Sequence, residues 1–175
     1  MIADFNIIAT TARGNERPMI NEILYLLKEE IGDTQAQASK TKIRGLIVAK
    51  TTNNPYEVME KFRTILIERP YEFRYALRIV PIERVVPTDL AEIKKTTEEL
   101  ARRIGEKQTF RVTIEKRFTE LHSKALIEAA AGDIKRKVDL KNPDLILQIE
   151  VLGALTGISL LKPTDILAVI KEKML

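Results

Sequence analysis

The chain has 175 residues, 45% of them apolar and 31% charged, with 29 Lys and Arg against 25 Asp and Glu and no cysteine. That length suits one large domain or two small ones with a sizeable core, and the lack of thiols excludes a disulfide framework, a cysteine nucleophile and a Cys-based zinc site. No apolar run reaches the eighteen residues that span a bilayer, and Met1-Ile2-Ala3-Asp4 lacks the basic and apolar regions of a signal peptide, so the expected location is cytoplasmic.

Asp4 to Thr11 reads as a buried strand, followed by a helix with Asn15 as its N-cap and Pro18 in its first turn. The helical spacing of Ile20, Ile23, Leu24, Leu27 and Ile31 marks its core face, and Gly32 stops it. The turn between them sets Arg13 and Arg17 beside a helix N-terminus, where backbone amides favour an anion, so a phosphate or an acidic partner suits it. Two short strands, Thr34 to Ser39 and Ile43 to Thr51, then flank Lys40, Lys42 and Arg44. Asn54-Pro55-Tyr56-Glu57 opens a second helix that buries Val58, Phe62, Ile65 and Leu66 and ends at Pro70; Arg74 to Val86 reads as one further strand. The order β-α-β-β-α-β fits a ferredoxin-like domain over residues 1–86, one sheet with two helices on a face, in an α+β chain.

Pro87-Thr88-Asp89 marks the boundary to a second domain, 87–175, where Thr88 caps a helix carrying Leu90, Ile93, Thr97, Leu100, Ala101 and Ile104 on one side. Phe110, Val112 and Ile114 alternate with polar residues in a half-buried strand ending at Lys116 and Arg117. Ser123 caps a helix that packs Leu126, Ala129, Ala130 and Ile134 inward and delivers Lys135, Arg136 and Lys137 at or beyond its last turn. The run Val138-Asp139-Leu140-Lys141-Asn142-Pro143-Asp144 is then a polar corner, because Pro143 pushes Asn142 out of the α region. Leu145 to Val151 is a core strand in a hairpin with Ile158 to Leu161, and Thr164 caps a final helix with Ile166, Leu167, Val169 and Ile170.

Charge is unevenly placed. Lys107 to Lys141 holds nine Lys and Arg against five Asp and Glu, and Ala38 to Lys50 holds four against none. Two such concentrations suit a polyanion, although solvated faces and surface ion pairs also account for runs of this kind. For catalysis the candidates are His122, the single histidine, and the Glu98-Glu99 pair; a cap residue and two divergent helical carboxylates make a poor site, so no catalytic residue, cofactor or metal ligand is expected.

Phe110-Arg111-Val112-Thr113-Ile114-Glu115-Lys116-Arg117, the capped helix from Ser123, and Lys137-Val138-Asp139-Leu140-Lys141-Asn142-Pro143-Asp144 before a strand together resemble the THUMP domain. That family occurs in 4-thiouridine synthetases, RNA methyltransferases and pseudouridine synthases, follows a ferredoxin-like domain, and binds tRNA near its acceptor stem and 3′ end. The resemblance implies phosphate contacts by Lys116, Arg117, Lys135, Arg136, Lys137 and Lys141. Asn142 either donates to a phosphate or ribose or closes a turn on its own backbone. Asp139 and Asp144 read as structural, and Arg13, Arg17, Lys40, Lys42 and Arg44 form a secondary basic surface for RNA or a partner. With Phe110 and Phe118 the main aromatics near the basic segments, stacking of single-stranded bases is not expected. A free-standing module of this kind resembles the adaptor of the tRNA cytidine acetyltransferase, which implies that enzyme, or another tRNA-modifying enzyme, as partner. The other function class is a protein-interaction module whose basic surface meets an acidic partner.

Overall fold

An apolar run after Phe5, with Ile7 and Ile8 fully buried, makes the first strand a central one. In the computed structural model, which describes residues 1–174, β1 (Ile7–Thr10) lies between β3 (Leu46–Lys50) and β4 (Arg78–Pro81), with β2 (Gln37–Lys40) outside β3. All these pairings are antiparallel. Helices α1 (Glu16–Tyr25) and α2 (Pro55–Glu68) cover one face, burying Met19, Ile23, Val58 and Phe62 against Ile7, Ala9, Ile47 and Ile79. This is the expected ferredoxin-like arrangement. Asn54 caps α2 as read, accepting from the Tyr56 N–H at 2.9 Å.

Three local readings change. Asn15 makes no side-chain cap bond. Leu26–Glu30 winds as a π-helix, with the Ile31 N–H reaching the Leu26 carbonyl at 3.0 Å, and the extra residue per turn brings Leu26 and Leu27 into the core while Ile31 stays half-buried. Arg74 to Val86 is two strands in two sheets, for β5 (Arg84–Pro87) pairs elsewhere; the Ile82 N–H bonds the Asn6 carbonyl and the next amide, Glu83, bonds Ser159 Oγ at 3.0 Å.

The chain forms two compact units: Met1–Ile82 together with the segment from Asp165 onward, and Glu83–Thr164. One boundary between the units falls between Ile82 and Glu83, and the segment from Asp165 onward belongs to the first unit. Instead of a final helix capped by Thr164, a 3-10 turn (Pro163–Asp165) leads to β10 (Leu167–Ala168) and short α5 (Val169–Lys173). The physical reason is that β10 adds to β4 as a fifth strand and buries Leu167 and Val169 in the first core.

The second unit has a sheet of order β5-β9-β8-β6-β7, built from β6 (Thr109–Arg117), β7 (Lys137–Val138), β8 (Leu145–Leu152) and β9 (Leu155–Leu161). β6 runs parallel to both β7 and β8, whereas β8 and β9 form the expected antiparallel hairpin. Helices α3 (Leu90–Ala101) and α4 (Ser123–Ala131) pack Ile93, Leu100, Leu126 and Ala130 on Phe110, Leu147, Ile149 and Ile158. The cap of α3 is Asp89 rather than Thr88, since its carboxylate accepts from the Glu92 N–H at 3.1 Å while the Thr88 hydroxyl meets Thr156 Oγ1. Ser123 likewise lies inside α4, with His122 at the cap position. Among the described residues no helix is long and apolar enough to cross a membrane.

Candidate nucleic-acid interface

The parallel pairing of β6 with β7 and β8 forces the chain to loop back between β7 and β8, and this loop is residues 139–144. Both of its aspartates hold backbone. Asp139 donates its N–H to the Phe110 carbonyl at 3.0 Å, and its Oδ1 accepts from the Lys141 N–H at 3.0 Å and the Asn142 N–H at 2.9 Å. The Asn142 and Lys141 N–H groups, aided by nearby Lys137, hold the Asp139 carboxyl below the usual carboxylate range. Asp144 closes the other end: its Oδ2 accepts from the Thr109 N–H at 2.8 Å, and its own N–H donates to Thr109 Oγ1 at 3.1 Å. Arg111, on the polar side of β6, donates from Nη1 to the Leu140 carbonyl at 3.0 Å, and Pro143 is buried. The turn is thus closed by Asp139, and the Asn142 side chain is exposed.

Around this fixed corner stand four exposed lysines, Lys107, Lys135, Lys137 and Lys141, none of them in an ion pair among the described residues. Arg136 is partly committed, with Nε donating to the Ile104 carbonyl at 3.1 Å and Nη1 to the Lys135 carbonyl at 2.9 Å. It also lines a shallow groove of about 240 Å³ with Arg102, Lys135 and Ile134. Lys116 and Arg117 lie elsewhere. Phe110 pairs with Val138, but Arg117 is seven residues further along β6, roughly 23 Å away at ~3.3 Å per residue. There the guanidinium of Arg117, 18% exposed, faces fully buried Glu150 at 3.6 Å. The seven expected RNA contacts therefore divide into a group at the loop and a pair at the far strand end, with Arg117 turned inward.

Arg13, Arg17, Lys40, Lys42 and Arg44 all lie on the first unit and all are exposed. His122 is exposed and makes no capping bond, and Glu99 pairs with Arg84 at 3.0 Å. Among the described residues no cluster of His, Asp and Glu is arranged to hold a metal ion. Phe110 is buried, whereas Phe118 is 71% exposed with φ of +53°.

The model of the THUMP domain family matches residues 87–161, the span that contains β6, α4, the 139–144 loop and the β8–β9 hairpin. Those residues are a THUMP domain. A search of curated proteins returns no match. Among solved structures, the chain is similar to PH1313 from Pyrococcus horikoshii Ot3, with TM-score 0.61 and 23% identity over 91% of this chain and 54% of that one. It is also similar to TrmN from Thermus thermophilus, with TM-score 0.57 and 18% identity over 90% and 46% of the two chains. A third is a protein from Listeria monocytogenes described as a predicted N6-adenine-specific DNA methylase, with TM-score 0.50 and 15% identity over 90% and 40%. At these identities the likeness establishes the fold, and the chain spans about half the length of the first two proteins.

Within the THUMP domain, sequence reasoning missed Arg111, Thr109 and Lys107. Thr109 and Arg111 act on residues 35 and 29 positions away, so no local pattern announces them. The available signal was the polar phase of the β6 alternation, which places Thr109 and Arg111 on one side of the strand and off the core side of Phe110 and Val112.

Proposed function

We propose that the chain is a tRNA-binding adaptor: its THUMP domain holds tRNA by the phosphates at the 139–144 loop, and the chain presents that tRNA to a modifying enzyme, the tRNA cytidine acetyltransferase. The supporting observation is a corner whose backbone is fixed from three sides, by Asp139, Asp144 and Arg111, while Lys107, Lys135, Lys137 and Lys141 remain exposed without ion pairs. A rigid backbone carrying mobile point charges suits phosphate contact, in which affinity comes from counterion release and falls with salt. The THUMP family's link to tRNA modification supports the partner class, and the partner enzyme supplies the chemistry in this reading.

The test is titration of tRNA, intact and lacking its 3′ CCA, at several salt concentrations. Wild type is expected to prefer the intact end and to lose affinity steeply with salt, and Lys137→Ala with Lys141→Ala to lower the slope of log K against log salt by about two. Reconstitution with the acetyltransferase then reads whether cytidine acetylation depends on the chain. A second reading has one observation of its own: Leu140 and Val138, 72% and 55% exposed, offer apolar surface at the same corner. A protein-interaction module predicts a stable complex with an acidic partner that forms without RNA and that Leu140→Ser weakens.

A further inference from the structure

In the first unit the ends of α1 and α2 are joined to each other and to α5 by side chains. α1 runs into the π-helical turn Leu26–Glu30, which sets Glu30 between two partners: Oε1 accepts from the Tyr25 hydroxyl at 3.0 Å, and the carboxylate takes both ends of the Arg69 guanidinium at 2.9 and 2.6 Å. Arg69 directly follows α2 and also faces Glu72 at 3.6 Å, within the 3-10 turn Pro70–Glu72. α5 closes on the same stretch. Arg63 of α2 pairs with Glu172 at 2.7 Å, and Lys173 Nζ donates to the Phe73 carbonyl.

Between α2 and α5 lies a groove of about 480 Å³, lined by Arg63, Leu66, Ile67, Pro70, Glu172 and Lys173, a size in the range of binding clefts. Leu66 is buried, whereas Pro70 is exposed and Ile67 is 73% exposed. The joined elements carry further apolar surface: Tyr71, 62% exposed, with Ile170 on α5 and Tyr25 at the end of α1. One exposed isoleucine on a helix is ordinary, but a run of aliphatic and aromatic side chains along joined elements marks a contact surface. Tyrosines beside an arginine and an apolar cleft are the composition of a protein interface.

Charge selects the occupant. The carboxylates of Glu30, Glu72 and Glu172 hold both arginines, so neither is available to phosphate. Lys173 is bonded to a neutral carbonyl, so Arg63, Glu172 and Lys173 together leave the groove one positive charge in excess. The match is a segment that sets apolar side chains against Leu66, Ile67 and Pro70 and a carboxylate against Lys173. An amphipathic helix meets both needs, because side chains three and four apart share one face.

We propose that the groove between α2 and α5 is a protein-docking site for an amphipathic, acid-bearing helix of a partner protein. This goes beyond the proposed function and uses neither tRNA nor the 139–144 loop.

The experiment is selection of phage-displayed random peptides of about sixteen residues, long enough to form a helix, on the full chain, followed by calorimetric titration of the enriched peptide in synthetic form. The expected peptides carry apolar residues at i and i+4 together with Asp or Glu. Ile67→Glu/Tyr71→Ala is expected to weaken their binding roughly tenfold or more, and Ile67→Leu to leave it near wild type. Replacing the peptide's acids by their amides is expected to weaken it several-fold. Equal thermal midpoints, with tRNA affinity and salt slope unchanged in the double variant, show that the surface and not the fold was altered. Selection that enriches no sequence, or peptides indifferent to the double variant or to loss of their acids, overturns the proposal; if tRNA binding is intact, the proposed function still stands. Weaker tRNA binding by the double variant would overturn it in favour of an RNA surface. A dimer in sedimentation that the double variant dissociates would overturn it in favour of a second copy of this chain.

Discussion

Asp33 is 4% exposed, yet its carboxylate has an acceptor role for four groups: the Thr51 hydroxyl at 2.6 Å, the Thr52 N–H at 2.7 Å, the Thr52 hydroxyl at 2.8 Å and the Gln35 N–H at 3.2 Å. Burial pushes the carboxyl up, but the Thr51 and Thr52 bonds outweigh it and hold the group below the usual carboxylate range. This residue ties the end of the first helical segment to the end of β3, next to a Thr51 that is 1% exposed. Asp33→Ala leaves a buried hydroxyl and an amide without an acceptor, and is expected to destabilise the protein by about 3 kcal/mol, read as a shift of the urea midpoint at constant m. The sign with pH follows from the lowered folded value. The carboxylate's contribution is fully present above the ordinary carboxylate pKa of about 4 and is lost as pH falls through the lower folded value, so the gap between wild type and Asp33→Ala narrows as pH falls from 5 toward 2. A gap that stays constant over that range would mean that the ionised form is not what the site holds.

At the scale of elements, the 139–144 loop separates charge from shape. Lys137 contributes charge, while Asp139 contributes the fold of the turn through the Lys141 and Asn142 N–H groups. Lys137→Ala is expected to lower the tRNA salt slope by about one. Asp139→Ala makes the corner more positive, so electrostatics alone predict tighter binding; loss of the turn predicts several-fold weaker binding at an unchanged slope. Tighter binding would show that the field, and not the backbone geometry, matters. This corner was legible in the sequence because Asn142-Pro143 and the flanking aspartates are local signals of a turn. The placing of Lys116 and Arg117 was not, because it depends on β6 and β7 being parallel with Thr109 opposite Lys137, which puts the end of β6 far from the loop its start touches. Inward commitment of Arg117 to Glu150, and of Arg136 to the Ile104 carbonyl, is equally long-range and leaves no local trace.

For the molecule as a whole, the ferredoxin-like order was legible because each element carries its own period and punctuation, from the Asn54 cap to Pro70 after α2. The return of the C-terminal segment was not, since Leu167 and Val169 fit a helical pattern as well as they fit a two-residue strand running into one helical turn. The consequence is that the first unit is completed by residues that follow the THUMP domain. Leu167 and Val169 are 0% and 1% exposed in the first core, the Val169 N–H donates to the Leu77 carbonyl at 3.0 Å, and Arg63 pairs with Glu172 at 2.7 Å. Removing two buried aliphatic side chains at about 2–3 kcal/mol each forfeits roughly 5 kcal/mol, comparable with the whole stability of a small domain. Deletion of residues 165–175 is therefore expected to raise amide hydrogen exchange in β1, β3 and β4 by orders of magnitude while β6, β8 and β9 keep their protection, as two cores with separate residues require. Exchange that rises equally in both sheets would show that the two units unfold as one cooperative body, and protection retained in β4 would show that β10 is dispensable to the first core.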